Sequence, residues 1–157
     1  MFRNKHHLQL AVCISLLILN LLFIWGNSLM PGEQSSELSG GLMEWVVEIV
    51  GEEIPNGEFL LRKLAHFSEF ASLGLLLTWL SLLLSQSGIH RVTMPLLGGM
   101  TAALVDETIQ VLTPERGPSV VDVWIDTAGA AAGILILLIG YTLLEGRKHH
   151  TIGGNKS

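Results

Sequence analysis

Ionisable side chains lie inside apolar segments of this sequence that are long enough to cross a lipid bilayer. His66 and Glu69 follow the start of one segment, Asp106 and Glu107 lie near the end of the next, and Asp126 lies near the start of the last. A charged group in the hydrocarbon region is costly unless it is paired or hydrated. Each of these residues is therefore a candidate for ligand binding or for proton or metal chemistry.

Helical geometry brings several of these side chains to one face of their helix. At about 100° per residue, Lys63, His66 and Glu69 fall within an arc of about 120°. Asp106 and Gln110 share a face of the next apolar segment in the same way, since they are one helical turn apart. Two neighbouring helices can therefore turn polar faces toward each other.

The last apolar segment carries acidic and small residues on one stripe. Asp122, Asp126, Gly129 and Gly133 recur at the spacing of one helical turn, which puts them on one face. Small residues at this spacing let helix backbones approach closely in lipid. We therefore interpret the two glycines as packing residues beneath the two carboxylates.

The depth of the polar residues agrees with their helix faces. Counting about 1.5 Å per residue, Glu69 and Asp106 lie about 10 Å from the outer ends of their helices, and Asp126 somewhat less. Glu107 lies at the depth of Asp106 but about 100° to one side. If successive helices run antiparallel, their polar groups meet at one level, near one end of a bundle.

Four apolar blocks of about 20 residues position these side chains, and about 20 residues span a hydrocarbon core. The mean hydropathy is +0.51, because the apolar residues are pooled into these blocks. We predict an all-α membrane protein with four transmembrane helices in an antiparallel bundle, forming a single domain of residues 1–157. The predicted spans are about 8–25, 64–84, 92–112 and 120–144.

A short amphipathic helix is predicted in the loop of residues 26–62. Pro31 to Ser39 is read as a Gly/Ser/Glu loop. Apolar residues then recur at the spacing of one helix face, at Leu42, Trp45, Val46, Ile49 and Val50. This helix either lies in the membrane interface with Trp45 as its anchor or packs against the end of the bundle, and the pattern leaves both readings open.

The distribution of Lys and Arg in the short loops predicts the orientation. With both termini inside, six of these residues lie on the cytoplasmic side and three on the other side. The six are Arg3, Lys5, Arg91, Arg147, Lys148 and Lys156, and the three are Arg62, Lys63 and Arg116. We therefore predict cytoplasmic termini, a cytoplasmic tail of residues 145–157, and a polar cluster near the outer leaflet.

Charge and motif content narrow the class of function. The net charge of −5 provides no basic stripe for a nucleic acid. The lone Cys13 excludes an internal disulfide. The sequence contains no H-E-x-x-H, no G-x-S-x-G and no zinc-type Cys/His set. An enzymatic function would therefore rest on the clustering of carboxylates.

In its ordered motifs the sequence resembles the VanZ-like membrane proteins. The motifs are Lys63-x-x-His66-x-x-x-Phe70-x-x-x-Gly74, Asp106-Glu107-x-x-Gln110, Arg116-x-x-Ser119-x-x-Asp122 and Gly129-x-x-x-Gly133. The resemblance covers residues 20–140 approximately. It implies a multi-pass protein of the bacterial cytoplasmic membrane, linked to glycopeptide resistance and to teicoplanin in particular. The family commonly has Asn where this chain has Asp126.

The candidate residues divide into two groups by predicted role. The catalytic or ligand-binding core is His66, Asp106, Glu107 and Asp122, and the substrate-binding set is Lys63, Glu69, Gln110, Arg116, Ser119 and Asp126. A structural role is the alternative, in which Arg62 and Lys63 reach the headgroups and His66 is a neutral interhelical hydrogen-bond partner. We favour a site, because so many ionisable groups share one depth, while reading Arg62 as a headgroup residue.

Three functions fit such a site, and we rank them in the following order. In a binding or transport protein, Lys63 and Arg116 would hold the phosphate or carboxylate of a lipid-linked cell-wall intermediate. In a metal-dependent hydrolase or transferase, His66, Asp106 and Asp122 would hold a divalent cation such as Mg²⁺, Mn²⁺ or Zn²⁺. In the third reading the chain is a structural partner of envelope enzymes. Membrane lipids are partners in every case, and the oligomeric state stays open.

Overall fold

The chain folds into α-helices throughout most of its length. A computed structural model describes residues 2–117 and 119–153, with side chains described for residues 4–117 and 119–145. The helices are α1 (Phe2–Ser28), α2 (Gly32–Val50), α3 (Gly57–Leu83), α4 (His90–Leu112) and α5 (Val120–Gly153). No β-strand occurs in the described residues, so the all-α prediction is confirmed. Residues 154–157 of the predicted tail, and the side chains of Arg3, Arg147 and Lys148, lie outside the described part.

Helices α1, α3 and α5 have the length and apolar composition of membrane-crossing helices. The qualifying segments are Asn4–Ser28, Gly57–Leu83 and Val120–Glu145. The third predicted span, residues 92–112, corresponds to α4 and is not among them, because Asp106, Glu107 and Gln110 interrupt its apolar run. All three of these polar side chains are buried within the protein.

Small residues allow α3 and α5 to pack with their backbones in contact. A Cβ atom on Gly133 would overlap the carbonyl group of Ala71, and one on Gly74 would overlap that of Ala130. Gly129 is almost as close to α3, since a Cβ atom there would overlap the carbonyl oxygen of Phe67. The prediction that Gly129 and Gly133 are packing residues is therefore confirmed.

Two turns of the chain lie at one end of the bundle, where α1 and α4 end and α3 and α5 begin. The Gly32 backbone N–H donates to the Pro114 carbonyl at 3.1 Å, so the α1–α2 turn meets the α4–α5 turn. At the other end of the bundle, His6 Nε2 lies 3.1 Å from the carbonyl oxygen of Leu83. Helices α1, α3, α4 and α5 therefore alternate in direction. We call the end that contains the two turns the site end.

Helix α2 begins earlier than predicted. Residues 32–39, read from the sequence as a loop, are helical. Pro31 directly precedes the helix. The backbone N–H groups in the first turn of a helix have no partner within the helix. One of them, that of Glu33, donates to Glu115 Oε2 of the α4–α5 turn at 3.0 Å. The helix ends at Gly51, whose left-handed φ of 79° suits glycine. The loop prediction was wrong because it considered local composition alone.

Most of the predicted apolar stripe of α2 is exposed, although Val46 is half-buried. Trp45 is 58% exposed and Ile49 is 65% exposed. Met43 and Val47 of α2 are half-buried instead, and the Met43 side chain lies against Gly57 at the start of α3. Of the two readings left open by the sequence, the structure therefore disfavours packing of the predicted stripe against the bundle end.

Candidate functional site

Asp106 is held by hydrogen bonds from two helices. Ser28 Oγ, at the end of α1, donates to Asp106 Oδ1 at 2.6 Å. Gln110 Nε2, one turn further along α4, donates to Asp106 Oδ2 at 2.8 Å. Thr113 Oγ1 donates to the Ser28 carbonyl at 3.0 Å and so ties the end of α1 to that of α4. These bonds fix the orientation of a carboxylate that is fully buried.

His66 and Asp126 meet Asp106 inside the bundle. His66 Nδ1 lies 3.9 Å from Asp106 Oδ2 and 3.7 Å from Asp126 Oδ1. One potential ligand atom from each residue lies within 4.8 Å of the other two. We call His66, Asp106 and Asp126 the inner cluster. It joins α3, α4 and α5 at one depth, as the helix faces predicted.

The two oxygens of Asp126 and the Nδ1 of His66 are buried without a hydrogen-bond partner among the described residues. Asp126 is 0% exposed, so solvent at the protein surface does not reach its carboxylate. A buried carboxylate without partners is strongly unfavourable. The inner cluster thus contains unsatisfied donor and acceptor groups that a ligand could satisfy.

Lys63 and Asp122 form an ion pair between α3 and α5 at the site end. Both side chains are mostly buried, with 19% of Lys63 and 15% of Asp122 exposed. Lys63 Nζ also lies 5.1 Å from the centre of the Phe59 ring. Lys63 therefore neutralises a carboxylate within the protein, whereas the structural alternative had its side chain reaching the lipid headgroups.

Glu69 and Glu107 lie at the margins of the site, each with one oxygen bonded. Asn27 Nδ2 donates to Glu69 Oε1 at 2.9 Å, and the Ser119 backbone N–H donates to Glu107 Oε2 at 2.8 Å. The second oxygen of each carboxylate has no hydrogen-bond partner within the described part of the chain. Their positions connect the site to α1 and to the start of α5.

Arg116 is anchored to the α1–α2 turn. Its Nε donates to the Met30 carbonyl at 3.1 Å, and its Nη2 donates to the Asn27 carbonyl at 3.1 Å. Burial lowers the pKa of the Arg116 guanidinium, and the charge of Arg62 lowers this pKa further, whereas Asp106 raises it. Arg62 and Arg116 therefore lie in the same region of the site end.

A cavity of about 580 Å³ opens at the site end between α3, α5 and the α4–α5 turn. We call it the outer cavity. Its cationic lining comes from Arg62, Lys63 and Arg116, and its acidic lining includes Asp122 and Glu115. His66 also lines it, so this cavity reaches the inner cluster. It can receive a polar, anionic group.

A second cavity of about 200 Å³ adjoins the first on the side of α2. We call it the side cavity. It shares Arg62, His66 and Arg116 with the outer cavity, and its apolar lining includes Leu38 and Leu42 of α2. A molecule with an anionic head and an apolar chain could therefore occupy the two cavities together.

A sequence profile of the VanZ/LLP1 family matches residues 12–141 of the chain. The chain belongs to the VanZ/LLP1 family. The resemblance to VanZ-like proteins is thereby confirmed, and the matched region contains the inner cluster and the described lining of both cavities. No curated protein and no solved structure shows a significant match to the chain.

In this VanZ/LLP1 protein the predicted site residues lie together at the site end of the bundle, but the set of possible metal ligands differs from the predicted set. The predicted metal set contained Asp122, whereas the inner cluster contains Asp126, one turn further into the bundle. Asp122 lies nearer the helix start and is paired with Lys63. The roles assigned to His66 and Asp106 stay predictions.

Sequence reasoning missed Asn27, Ser28 and Arg62 of this VanZ/LLP1 site. Asn27 and Ser28 end the first apolar block, and polar residues at that position share the depth of the other polar groups. That position was the signal that could have identified them. Arg62 was read as a headgroup residue, but it lines both cavities. Only the packing of α2 and the α4–α5 turn around Arg62 reveals this.

Proposed function

We propose that this VanZ/LLP1 membrane protein binds the anionic headgroup of a lipid-linked molecule of the bacterial cell envelope. The observation that carries the proposal is the lining of the outer cavity by Arg62, Lys63 and Arg116. Guanidinium groups bind phosphate and carboxylate through paired, charge-assisted hydrogen bonds, and ammonium groups bind them as point charges.

The two arginines are the cations best placed to hold a ligand. Lys63 is already paired with Asp122. Arg62 makes no hydrogen bond or ion pair with another described residue, and its charge lowers the pKa of Arg116. An anion between two like charges relieves their repulsion. The arrangement therefore favours binding of an anionic group between Arg62 and Arg116.

The side cavity supports a lipid-linked ligand over a free anion. It shares Arg62 and Arg116 with the outer cavity and adds an apolar lining of Leu38, Leu42 and Leu61. In the proposal, the first carbon units of an acyl or prenyl chain lie against these leucines while the phosphate or carboxylate lies at the arginines. The chain would come from lipid that is about as apolar as these leucines, so the side cavity would accept it by fit to its shape.

We further propose that α4 is a fourth transmembrane helix. Its polar residues Asp106, Glu107 and Gln110 are buried against other helices, whereas Leu97 and Leu104 are exposed on its outer surface. Intramembrane ionisable residues usually face the interior of a bundle in this way. The helix can therefore contact lipid through apolar side chains despite its low overall hydropathy.

The membrane placement that fits these features has both termini in the cytoplasm. It keeps the Lys/Arg excess inside and puts the outer cavity near the outer leaflet. The exposed Trp45 and Ile49 of α2 then lie in the outer membrane interface, beside the side cavity. The family resemblance links the protein to teicoplanin resistance. In the proposal, the molecule that it binds is an envelope lipid.

Ligand binding can be tested with a short-chain polyprenyl phosphate added to detergent-purified protein. Arg62→Gln should weaken binding about tenfold or more, because a charge-assisted hydrogen bond contributes about 1.5–3 kcal/mol. Arg91→Gln is the matched control, since Arg91 lies at the opposite end of the bundle beside the Tyr141 ring. Equal affinity of the wild-type protein and Arg62→Gln would contradict the proposal. Native mass spectrometry measures the bound fraction.

The same titration separates a lipid-linked ligand from a free one. Inorganic phosphate should bind far more weakly than the polyprenyl phosphate, since it cannot use the side cavity. A Leu42→Asn variant should lose affinity for the polyprenyl phosphate and keep its weak affinity for inorganic phosphate. Equal affinities for the two probes would contradict a lipid-linked ligand.

A further inference from the structure

The least satisfied polar group in the described bundle interior is the carboxylate of Asp126. It is 0% exposed, and neither of its oxygens has a hydrogen-bond partner among the described residues. His66 Nδ1, which faces it at 3.7 Å, is also without a partner. Packing alone gives no reason to bury a carboxylate in this state, because its removal from water is unfavourable.

The geometry of the inner cluster is that of ligands around one ion. The distances from His66 Nδ1 to Asp106 Oδ2 and Asp126 Oδ1 are 3.9 Å and 3.7 Å, which exceed hydrogen-bond lengths. Two ligand atoms that each lie about 2.1 Å from a tetrahedral metal are about 3.4 Å apart. A small inward movement of the three side chains would therefore bring all of them to one ion.

We propose that the inner cluster binds a divalent first-row metal ion, Mn²⁺ or Zn²⁺, through His66 Nδ1, Asp106 Oδ2 and Asp126 Oδ1. One imidazole with two carboxylates suits these ions, whereas Mg²⁺ and Ca²⁺ prefer ligand sets made of oxygen alone. His66 also lines the outer cavity, so the proposed ion would be bound next to that cavity. This site goes beyond the proposed function and does not depend on it.

The surroundings of Asp106 are those of a supported metal ligand. Ser28 and Gln110 each donate a hydrogen bond to its carboxylate and fix its orientation. Partners of this kind orient the ligands of metal sites and are part of their affinity. Asp106 would thus enter the coordination sphere already oriented, and Asp126 and His66 would complete it.

The balance of charge also favours a cation. Asp106 and Asp126 bring two negative charges into the bundle, while Lys63 is paired with Asp122 at the margin. Arg116 is bonded to the carbonyl groups of the α1–α2 turn. A divalent ion at the inner cluster would balance the two carboxylates directly.

The test is elemental analysis for bound metal. The protein is purified in detergent through a tag that contains no histidine, incubated with Mn²⁺ or Zn²⁺, and then separated from free ion. The wild-type protein should retain close to one ion per chain, and Asp126→Asn should lose it while keeping nearly the same shape. Asp122→Asn is the matched control, because it removes a carboxylate one turn away on the same helix, and it should keep the ion.

Stability and spectroscopy give readouts that do not require any activity. Chelation should lower the melting temperature of the wild-type protein and leave that of Asp126→Asn unchanged, since an ion that binds only the folded state stabilises it. Pulsed electron paramagnetic resonance of the Mn²⁺-loaded wild-type protein should show coupling to one directly bound ¹⁴N nucleus, from His66. This spectrum tests the site even if Asp126→Asn does not fold.

Several results would overturn the inference. Wild-type protein that retains neither ion and whose melting temperature does not respond to added metal contains no such site. Retention of a full equivalent by folded Asp126→Asn, or a Mn²⁺ signal without nitrogen coupling, would exclude the ligand set. Arg62→Gln should keep the metal, so failure of the metal site and failure of anion binding in the outer cavity are distinguishable.

Discussion

Substitution of Gly133 by alanine tests the packing that positions the site. A Cβ atom at this position would lie 2.8 Å from the Leu75 backbone nitrogen and 2.9 Å from the Ala71 carbonyl carbon. Backbone atoms cannot rotate away as a side chain can, so α3 and α5 must separate. Overpacking of this kind costs about 1–3 kcal/mol, and the helix preference of alanine over glycine returns about 0.5–1 kcal/mol.

Gly133→Ala should therefore lower the free energy of unfolding by up to about 2.5 kcal/mol, as an overpacking cost offset by helix propensity. Gly140 is the matched control on the same stripe of α5, because a Cβ atom there meets nothing within 4 Å. Gly140→Ala should leave stability unchanged or raise it slightly. Reversible unfolding in mixed micelles, followed by tryptophan fluorescence, measures both. Equal effects of the two substitutions would refute the close contact between α3 and α5.

Two further predictions concern topology and Asp106. In a Cys13→Ala background, an impermeant thiol reagent should label Ser36→Cys in whole cells but not Ser87→Cys, and outside labelling of position 87 would reverse the orientation. Asp106→Asn should lower the free energy of unfolding by about 1–3 kcal/mol. The side-chain NH₂ group of Asn would face either Ser28 Oγ or Gln110 Nε2, which both donate to Asp106, and one hydrogen bond would be lost. The substituted protein should keep the helical content by circular dichroism, and a fully stable variant would contradict the hydrogen-bond network.

The positions of most helices could be predicted from the sequence, because long apolar blocks indicate where helices lie. The start of α2 could not be predicted. Residues 32–39 are rich in Gly, Ser and Glu, and the hydrogen bond that caps the helix comes from Glu115, far along the chain. Local composition carries no information about such a contact.

The candidate site was predicted as a region more accurately than as a set of contacts. Helix faces and depth brought His66 and Asp106 together correctly. The choice between Asp122 and Asp126 depends on how far α5 slides along α3, which the contact of Gly133 with α3 determines. A shift of one turn exchanges the two carboxylates, and sequence periodicity alone does not fix that register.

The most direct measurement of the central claim is photo-crosslinking with a polyprenyl phosphate that carries a diazirine beside its phosphate. Mass spectrometry of the labelled protein should find the adducts on segments that line the outer and side cavities, at residues 59–66, 115–117 and 119–122. Excess unlabelled polyprenyl phosphate should suppress them, and Arg62→Gln should reduce them. Adducts spread over the exposed surfaces of α1 and α5, unaffected by competitor and by Arg62→Gln, would contradict binding in the cavities.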